Sequence, residues 1–424
     1  METPNTQAYK PRHIDSILDQ VGSELPAILL DGPKGVGKTS TALRRAKTIK
    51  RLDDPRDQER LRADLDWVTQ GERPILIDEW QKSPEVWETV KRSVDQDSSG
   101  GGFLLTGSLP QASTHSGALR ITSLRMRPMT LAERGEQAPP ISFADLLGET
   151  SPDIDFESTW TLTNYIDEIT RSGFPAIRRM SHLARSLALE GYIQRVIDSD
   201  LPEIGQNIRR PEAVMAWMSS YAAATATTAS WESIRDGANS GSSTTPTKVT
   251  TIPYRDALTR LRILDELPAW LPSQNFVSRL SQAPKHFLAD PALAVSLLGL
   301  NPKSLEAADS PGQNAVKPIL GRLFEALATL SIRVYAETNN AKTYHFRDGN
   351  GRREVDLIVI REDGKVLPIE IKMTSAPKPK DSENLRWLKT QLGEKVLEPV
   401  LIHTGKYAYK SDGVLHIPLA LMTA

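Results

Sequence analysis

The stretch Gly32-Pro33-Lys34-Gly35-Val36-Gly37-Lys38-Thr39 restricts what this chain can fold into more than any other. It has the spacing GxxxxGKT. The apolar run Ala27-Ile28-Leu29-Leu30 precedes it, and a basic, helix-prone stretch from Ser40 to Arg51 follows. Buried strand, glycine-rich turn and helix, in that order, make a phosphate-binding loop. The glycines let successive backbone N–H groups turn inward around an anion where a Cβ would obstruct them. The helix start adds unpaired donors and the positive end of its dipole. Lys38 can reach the terminal phosphates of a nucleotide, and the Thr39 hydroxyl can ligate magnesium, with Ser40 beside it in the first turn.

Pro74-Ile75-Leu76-Ile77-Asp78-Glu79 is an apolar run that ends in two carboxylates, the way a buried parallel strand presents acids at its C-terminal edge. Downstream of a phosphate loop, Asp78 is expected to hold the magnesium shell opposite Thr39, and Glu79 to orient the attacking water. A third run, Phe103-Leu104-Leu105-Thr106-Gly107-Ser108, ends in small polar groups, and Thr106 or Ser108 is placed to sense the γ-phosphate.

A chain of 424 residues exceeds a single core and implies two or three domains. Its formal net charge of −1 excludes a global basic field, so nucleic-acid binding has to come from local patches. Cysteine is absent, which removes disulfides, thiolate zinc sites and cysteine nucleophiles together. The polar N-terminus lacks an apolar signal core, and no apolar run approaches a membrane span. The expectation is a cytoplasmic protein with no membrane partner.

The nucleotide motifs occupy residues 1–135. Residues 136–210 combine a Pro-rich acidic linker, 136–158, with a helical lid broken at Ser172-Gly173-Phe174-Pro175. Residues 211–300 read as a helical module. Helices are expected near 213–226 and 231–236, then a Gly/Ser/Thr-rich loop at 239–247, then a helix bearing Arg255, Arg260 and Arg262. That order is similar to a winged helix-turn-helix. Residues 301–424 carry a helix near 317–332 and two strands, 354–360 and 366–373, joined by the hairpin signal Glu362-Asp363-Gly364. A polar helix at 381–392 and strands near 399–403 and 414–418 complete an αβ pattern.

In Leu367-Pro368-Ile369-Glu370-Ile371-Lys372-Met373 the apolar residues alternate with polar ones, so Glu370 and Lys372 project from one face. A solvated strand face explains that pattern alone. Asp356, however, shares its face with Ile358 and Ile360, and a carboxylate on an apolar face needs a partner or a metal. On neighbouring strands, Asp356 and Glu370 can bind one hard cation, with Lys372 steadying an attacking water. Glu325 on the preceding helix is either a further acid of this set or a surface residue paired to Arg322 one turn back.

Together these segments resemble a bacterial and archaeal architecture: an AAA+-like ATPase domain of the ASCE P-loop division followed by a C-terminal PD-(D/E)XK nuclease-like module. The resemblance rests on GPKGVGKTST, ILIDEWQKSP, LLTGS, GALRITSLRMRPMTLAE, SGFPA, PKHFLADPAL and GRLFEALA…REVDLIVI…PIEIKMT, in the family's order along most of the chain. It implies an α/β fold with a parallel P-loop sheet, a winged-helix-like middle region and a nuclease-like α/β domain. It also implies ATP and Mg2+ as cofactors and ATPase activity. Asp78 and Glu79 match the metal and water-activating positions, Asp356, Glu370 and Lys372 match the D…ExK core, and Glu325 matches its helical acid. An arginine acting in trans within a homo-oligomer of the ATPase domain is a further implication, with Arg120, Arg125 and Arg127 as candidates. DNA or RNA is the expected partner of the C-terminal module. The alternative is a nucleotide-driven switch whose nuclease-like module is a non-catalytic scaffold. A small-molecule kinase shares the phosphate loop, but Glu79 directly after Asp78 suits water activation rather than transfer to an acceptor.

Overall fold

The computed structural model describes residues 9–107, 120–150, 152, 154–238, 248–271, 282–309, 316–348 and 351–424. Ser108, residues 117–119 of the basic segment and the loop at 239–247 lie outside the described residues. Contacts divide the chain into two units. One comprises Met1–Arg127, Asp200–Asn207 and Ala257–Ile263; the other comprises Pro128–Ser199, Ile208–Asp256 and Leu264–Ala424.

The first unit is built on five parallel strands: β1 (Ala27–Asp31), β2 (Thr48–Arg51), β3 (Ile75–Asp78), β4 (Phe103–Thr106) and β5 (Thr122–Arg125). Their spatial order is β2-β3-β4-β1-β5. Strands β3 and β4 are buried at every position, which explains their unbroken apolar sequence. Ile75, Ile77, Phe103 and Leu105 pack with Val86, Val90 and the ring pair Trp80–Trp87 (centroids 4.9 Å apart). Because β4 lies between β1 and β3, Asp78 stands in register with Thr106, and Thr106 with Leu30 beside the glycine loop. The carboxyl ends of these strands therefore converge where ligands bind in open parallel sheets.

The helix expected over 40–51 is shorter than its composition suggests. It spans Lys38–Leu43, and residues 48–51 form the edge strand β2 instead. The amides of Lys47 and Thr48 bond the Pro74 carbonyl, and Ile49 pairs with Leu76. Lys50 is buried with its ammonium over the Trp67 ring at 3.9 Å. A cation lodged on an aromatic face breaks the apolar alternation that would have marked the strand.

The second unit begins its strands with β6 (Ile141–Ser142). Its main sheet consists of β7 (Lys342–Arg347), β8 (Glu354–Ile360), β9 (Val366–Ile371), β10 (Val400–His403), β11 (Tyr409–Ser411) and β12 (Val414–Pro418). The order is β11-β12-β10-β9-β8-β7. Strands β7, β8 and β9 form an antiparallel meander, and β10 runs parallel to both β9 and β12. The terminal strand β13 (Met422–Thr423) pairs in parallel with β6. One core of this unit gathers Phe346, Val355, Ile358 and Val366 against Leu385 and Leu388 of the helix Glu383–Leu392. The helix Val316–Thr338 is buried along most of its length.

Residues 136–158, expected as a linker, contain β6 and the short helix Phe143–Leu146, with Ile141, Phe143, Leu146 and Leu147 all buried. Their partners are nearly two hundred or more residues away, Tyr335 for Phe143 and Met422 for Ile141, so a local reading could not find them. Strands β7 and β11 were likewise not expected; β7 carries Lys342 and Arg347 at its ends, and β11 is exposed at all three positions.

His403 and His416 sit on adjacent strands, and both are buried. His403 Nδ1 accepts the Gly405 amide at 2.8 Å, a bond that requires the neutral ring. Burial, with His416 nearby, pushes the His403 pKa down to about 4, and burial also lowers that of His416. A folded-state value below the unfolded one contributes stability that is fully present above about pH 6.5. That stability is lost as pH falls toward 4. Thermal melts should therefore show the second unit losing roughly 3 kcal/mol between these limits through His403. A His403→Gln variant should flatten the curve there; an unchanged slope would refute the assignment.

Candidate functional site

The glycine loop turns through left-handed backbone at Gly37 (φ 105°), which begins the helix Lys38–Leu43. A Cβ on Gly32 would lie 2.2 Å from the Met126 carbonyl oxygen, so that position tolerates only glycine. Arg12 braces the loop from behind, donating to the carbonyls of Val36 (3.0 Å) and Arg127 (2.7 Å). Lys38 is buried, and its ammonium folds back onto the carbonyls of Gly32 (2.7 Å) and Pro33 (2.9 Å). Burial pushes its pKa down to about 8, opposed by the nearby Asp31 and Glu79 carboxylates.

Asp78 gathers the hydroxyls. Its Oδ1 accepts from Thr39 Oγ1 at 2.8 Å and from Thr106 Oγ1 at 2.5 Å. Thr106, expected to face a γ-phosphate, thus donates to Asp78. Glu79 has φ 54°, a left-handed conformation that is sparsely populated by residues with a side chain and that clusters at functional sites. Its carboxylate accepts from Gln81 Nε2 at 2.5 Å. Ser40 is exposed on the helix.

Two contacts to the loop were not legible. Lys34 pairs with Asp200 at 2.9 Å, and Asp31, which ends β1, pairs with Arg262 at 2.6 Å. Asp200 closes a π-helical turn, Val196–Asp200, and Arg262 has φ 64°. No local spacing could have announced either partner.

In the second unit, Leu357 pairs with Ile369, and the same register sets Asp356 opposite Glu370. Strand β9 is buried over its whole length, so Glu370 does not lie on a wet face. Asp356 Oδ2 accepts the Ile371 amide at 2.9 Å. Lys372 pairs with Glu370 at 2.6 Å, while Glu370 Oε2 is buried without a hydrogen bond.

The residue that organises this cluster is one the sequence reading left without a role. Lys285 is fully buried, and its Nζ lies 2.8 Å from Glu325 Oε1, 2.9 Å from Asp356 Oδ1 and 3.1 Å from Glu354 Oε1. Burial disfavours its charge, but Asp356, Glu325 and Glu354 outweigh that and hold its pKa well above the ordinary value. Burial likewise opposes ionisation of Asp356, and Lys285 and Lys372 overcome it, lowering the pKa. Burial and the neighbouring Asp356 push Glu325 up to about 7 and Glu370 up to about 8. Glu325 is therefore neither surface-exposed nor paired to Arg322, which donates instead to the Ala223 carbonyl. Glu354 could have been anticipated, since it sits two residues before Asp356 and shares its face.

Residues 24–134 match the AAA domain family. The N-terminal unit is an AAA-like P-loop domain. Residues 162–304 match one domain of unknown function (DUF8612), and residues 320–422 match another (DUF4143). No curated protein matches the chain. Among solved structures, the Walker-type ATPase of Pyrococcus abyssi is similar at 15% identity and a TM-score of 0.36, over 68% of this chain and 96% of that one.

Magnesium fits the AAA-like domain. Thr39 and Asp78 supply a hydroxyl and a carboxylate in contact beside the loop, and Mg2+ is commonly held by one or two protein oxygens plus nucleotide phosphates. It does not fit the second unit as expected. Among the described residues no group of three or more His, Cys, Asp or Glu is arranged to hold a metal, and a lysine ammonium lies among Glu325, Glu354 and Asp356. The expected metal roles of Glu325, Asp356 and Glu370 are thus replaced by pairing to Lys285 and Lys372.

The arginine candidates of the AAA-like domain separate by exposure. Arg120 is 39% exposed and pairs with Asp95; Arg125 lies near Asp31; Arg127 is buried. Among the described residues no helix is long and apolar enough to cross a membrane.

Proposed function

We propose that this protein hydrolyses ATP with magnesium in its AAA-like domain and passes the nucleotide state to a nuclease-like C-terminal module that binds or acts on nucleic acid. The observation that carries it is the convergence of Thr39 and Thr106 on Asp78, beside Lys38 and Glu79. Lys38, released from the Gly32 and Pro33 carbonyls, would place its charge on the terminal phosphates. Thr39 and Asp78 would hold Mg2+, which when bound neutralises charge on the β- and γ-oxygens. Glu79 would orient the attacking water, and Arg120 is the candidate to act in trans between copies. The links from Lys34 to Asp200 and from Asp31 to Arg262 support coupling, because they tie the loop to segments continuous with the helical middle region. The helices Pro211–Ala223, Trp231–Gly237 and Lys248–Arg260, followed by the antiparallel pairs Leu264–Leu288 and Leu267–Lys285, support the winged-helix reading of that region.

The test is binding of labelled DNA and RNA in ADP and in a non-hydrolysable ATP analogue, together with metal-dependent cleavage assays. An affinity that differs between nucleotide states, with the difference reduced in Asp200→Asn, is the expected result. Equal affinities would overturn the coupling. A second reading, in which the module is a non-catalytic scaffold, is favoured by the presence of Lys285 in the acid cluster. Binding without cleavage, with or without ATP, would decide for it.

A further inference from the structure

The carboxylates of Glu325, Glu354 and Asp356 come from a helix and from strand β8, yet their oxygens meet within 2.8–3.1 Å of one nitrogen atom. Those are ammonium-to-carboxylate separations. A Mg2+ ion needs oxygens at about 2.0–2.1 Å and Ca2+ at about 2.3–2.6 Å, so the pocket as built is sized for N–H donors. We propose that the ammonium of Lys285 is the resident cation of this cluster, standing where a divalent ion would otherwise sit, so that removing it turns the cluster into a divalent-cation site.

Three further features support the assignment. The ammonium donates to Glu325 and Asp356, and Glu354 completes its surroundings as an ion pair at 3.1 Å. The lysine backbone is fixed, because its amide donates to the Leu267 carbonyl and its carbonyl accepts from Leu267, both at 2.9 Å. The side chain is itself fully buried rather than at the surface. Finally, the acids are bound in a way that does not depend on solvent ions. Asp356 uses its second oxygen on the Ile371 amide, and Lys372 takes Glu370. A tethered cation needs no free ion and is present at all times, so the cluster is assembled at any metal concentration. Its rim is accessible, since Glu354 is 40% exposed, which leaves a path for an ion once the ammonium is gone.

The inference rests on the nuclease-like reading only in locating the cluster, and it is independent of ATP hydrolysis. The experiment titrates Mn2+ into the full-length, nucleotide-free protein, following bound Mn2+ by electron paramagnetic resonance and stability by thermal melts. Wild type, Asp356→Asn, Lys285→Ala and the double variant are compared, so that any ion at the phosphate loop cancels. Wild type should show no Mn2+ binding that depends on Asp356. Lys285→Ala should melt lower, recover with Mn2+, and bind it at least about tenfold more tightly than wild type, an effect lost in the double variant. If Lys285→Ala does not fold, Lys285→Met retains the buried stem and is read in the same way. Asp356-dependent Mn2+ binding by wild type would overturn the proposal, as would a folded Lys285 variant that takes no ion. If a Lys285 variant gains the ion yet cuts neither DNA nor RNA, the proposal stands and the cleavage reading of the module fails.

Discussion

Glu79→Gln protein should bind ATP as wild type does and turn it over about 10²–10⁴-fold more slowly, whereas Lys38→Ala protein should lose binding itself. The two residues sit at one site but act on different terms. Lys38 supplies a buried ammonium packed against the loop, resting on Gly32 and Pro33 where phosphate would draw it outward. Glutamine at position 79 keeps the shape of the side chain and can still contact Gln81, so the left-handed turn at φ 54° should survive. What disappears, on the proposed reading, is the carboxylate that orients the attacking water. Equilibrium binding of a fluorescent ATP analogue and steady-state phosphate release separate these effects. Full turnover by Glu79→Gln would remove it from the water-activating role.

The largest stability loss is expected at Asp290. Its carboxylate is wholly buried and accepts the Gly173 amide at 2.6 Å and the Ala292 amide at 2.8 Å, capping the helix Pro291–Leu297. Arg134, also buried, approaches it at 3.8 Å and reaches Glu168, which Arg178 holds in turn. Asp290→Ala would orphan two amides and leave buried positive charge under-compensated, a change that costs about 3–5 kcal/mol. The two amides bond different carboxylate oxygens, so Asp290→Asn keeps an acceptor for only one of them and an intermediate loss is expected. Urea unfolding of the full-length protein measures both; a loss under about 1 kcal/mol for alanine would show that the network relaxes around the gap. This network also gives a structural meaning to the SGFPA and PKHFLADPAL segments, which meet through Gly173 and Asp290.

The arrangement of the candidate nucleotide site was legible because it is local. Gly32 to Thr39 lie in one loop, and Asp78 ends the strand whose apolar run points to it. The opposition of Asp356 and Glu370 was legible for a related reason, since a hairpin signal and two alternating strands suffice to set the register. Lys285 was not, because it acts on Glu325 and Asp356 across long stretches of chain, from a segment with no regular pattern of its own. Edge strand β2 was hidden by Lys50, whose charge is absorbed by Trp67 rather than by water. Where a side chain's partner lies within a turn or a hairpin, sequence suffices; where it is supplied by a distant segment, physical chemistry predicts only that some partner must exist.

The pairing of Ile141–Ser142 with Met422–Thr423 sets an order of events during synthesis. Ile141 emerges from the ribosome long before Met422, its strand partner. At 5–20 residues per second, about 15–60 s separate the two, far longer than collapse of a nascent chain takes. During that interval the segment just after the AAA-like domain lacks its strand partner. Its unpaired edge stays open to other contacts until then, so the yield of folded protein should depend on how quickly the C-terminal segment follows.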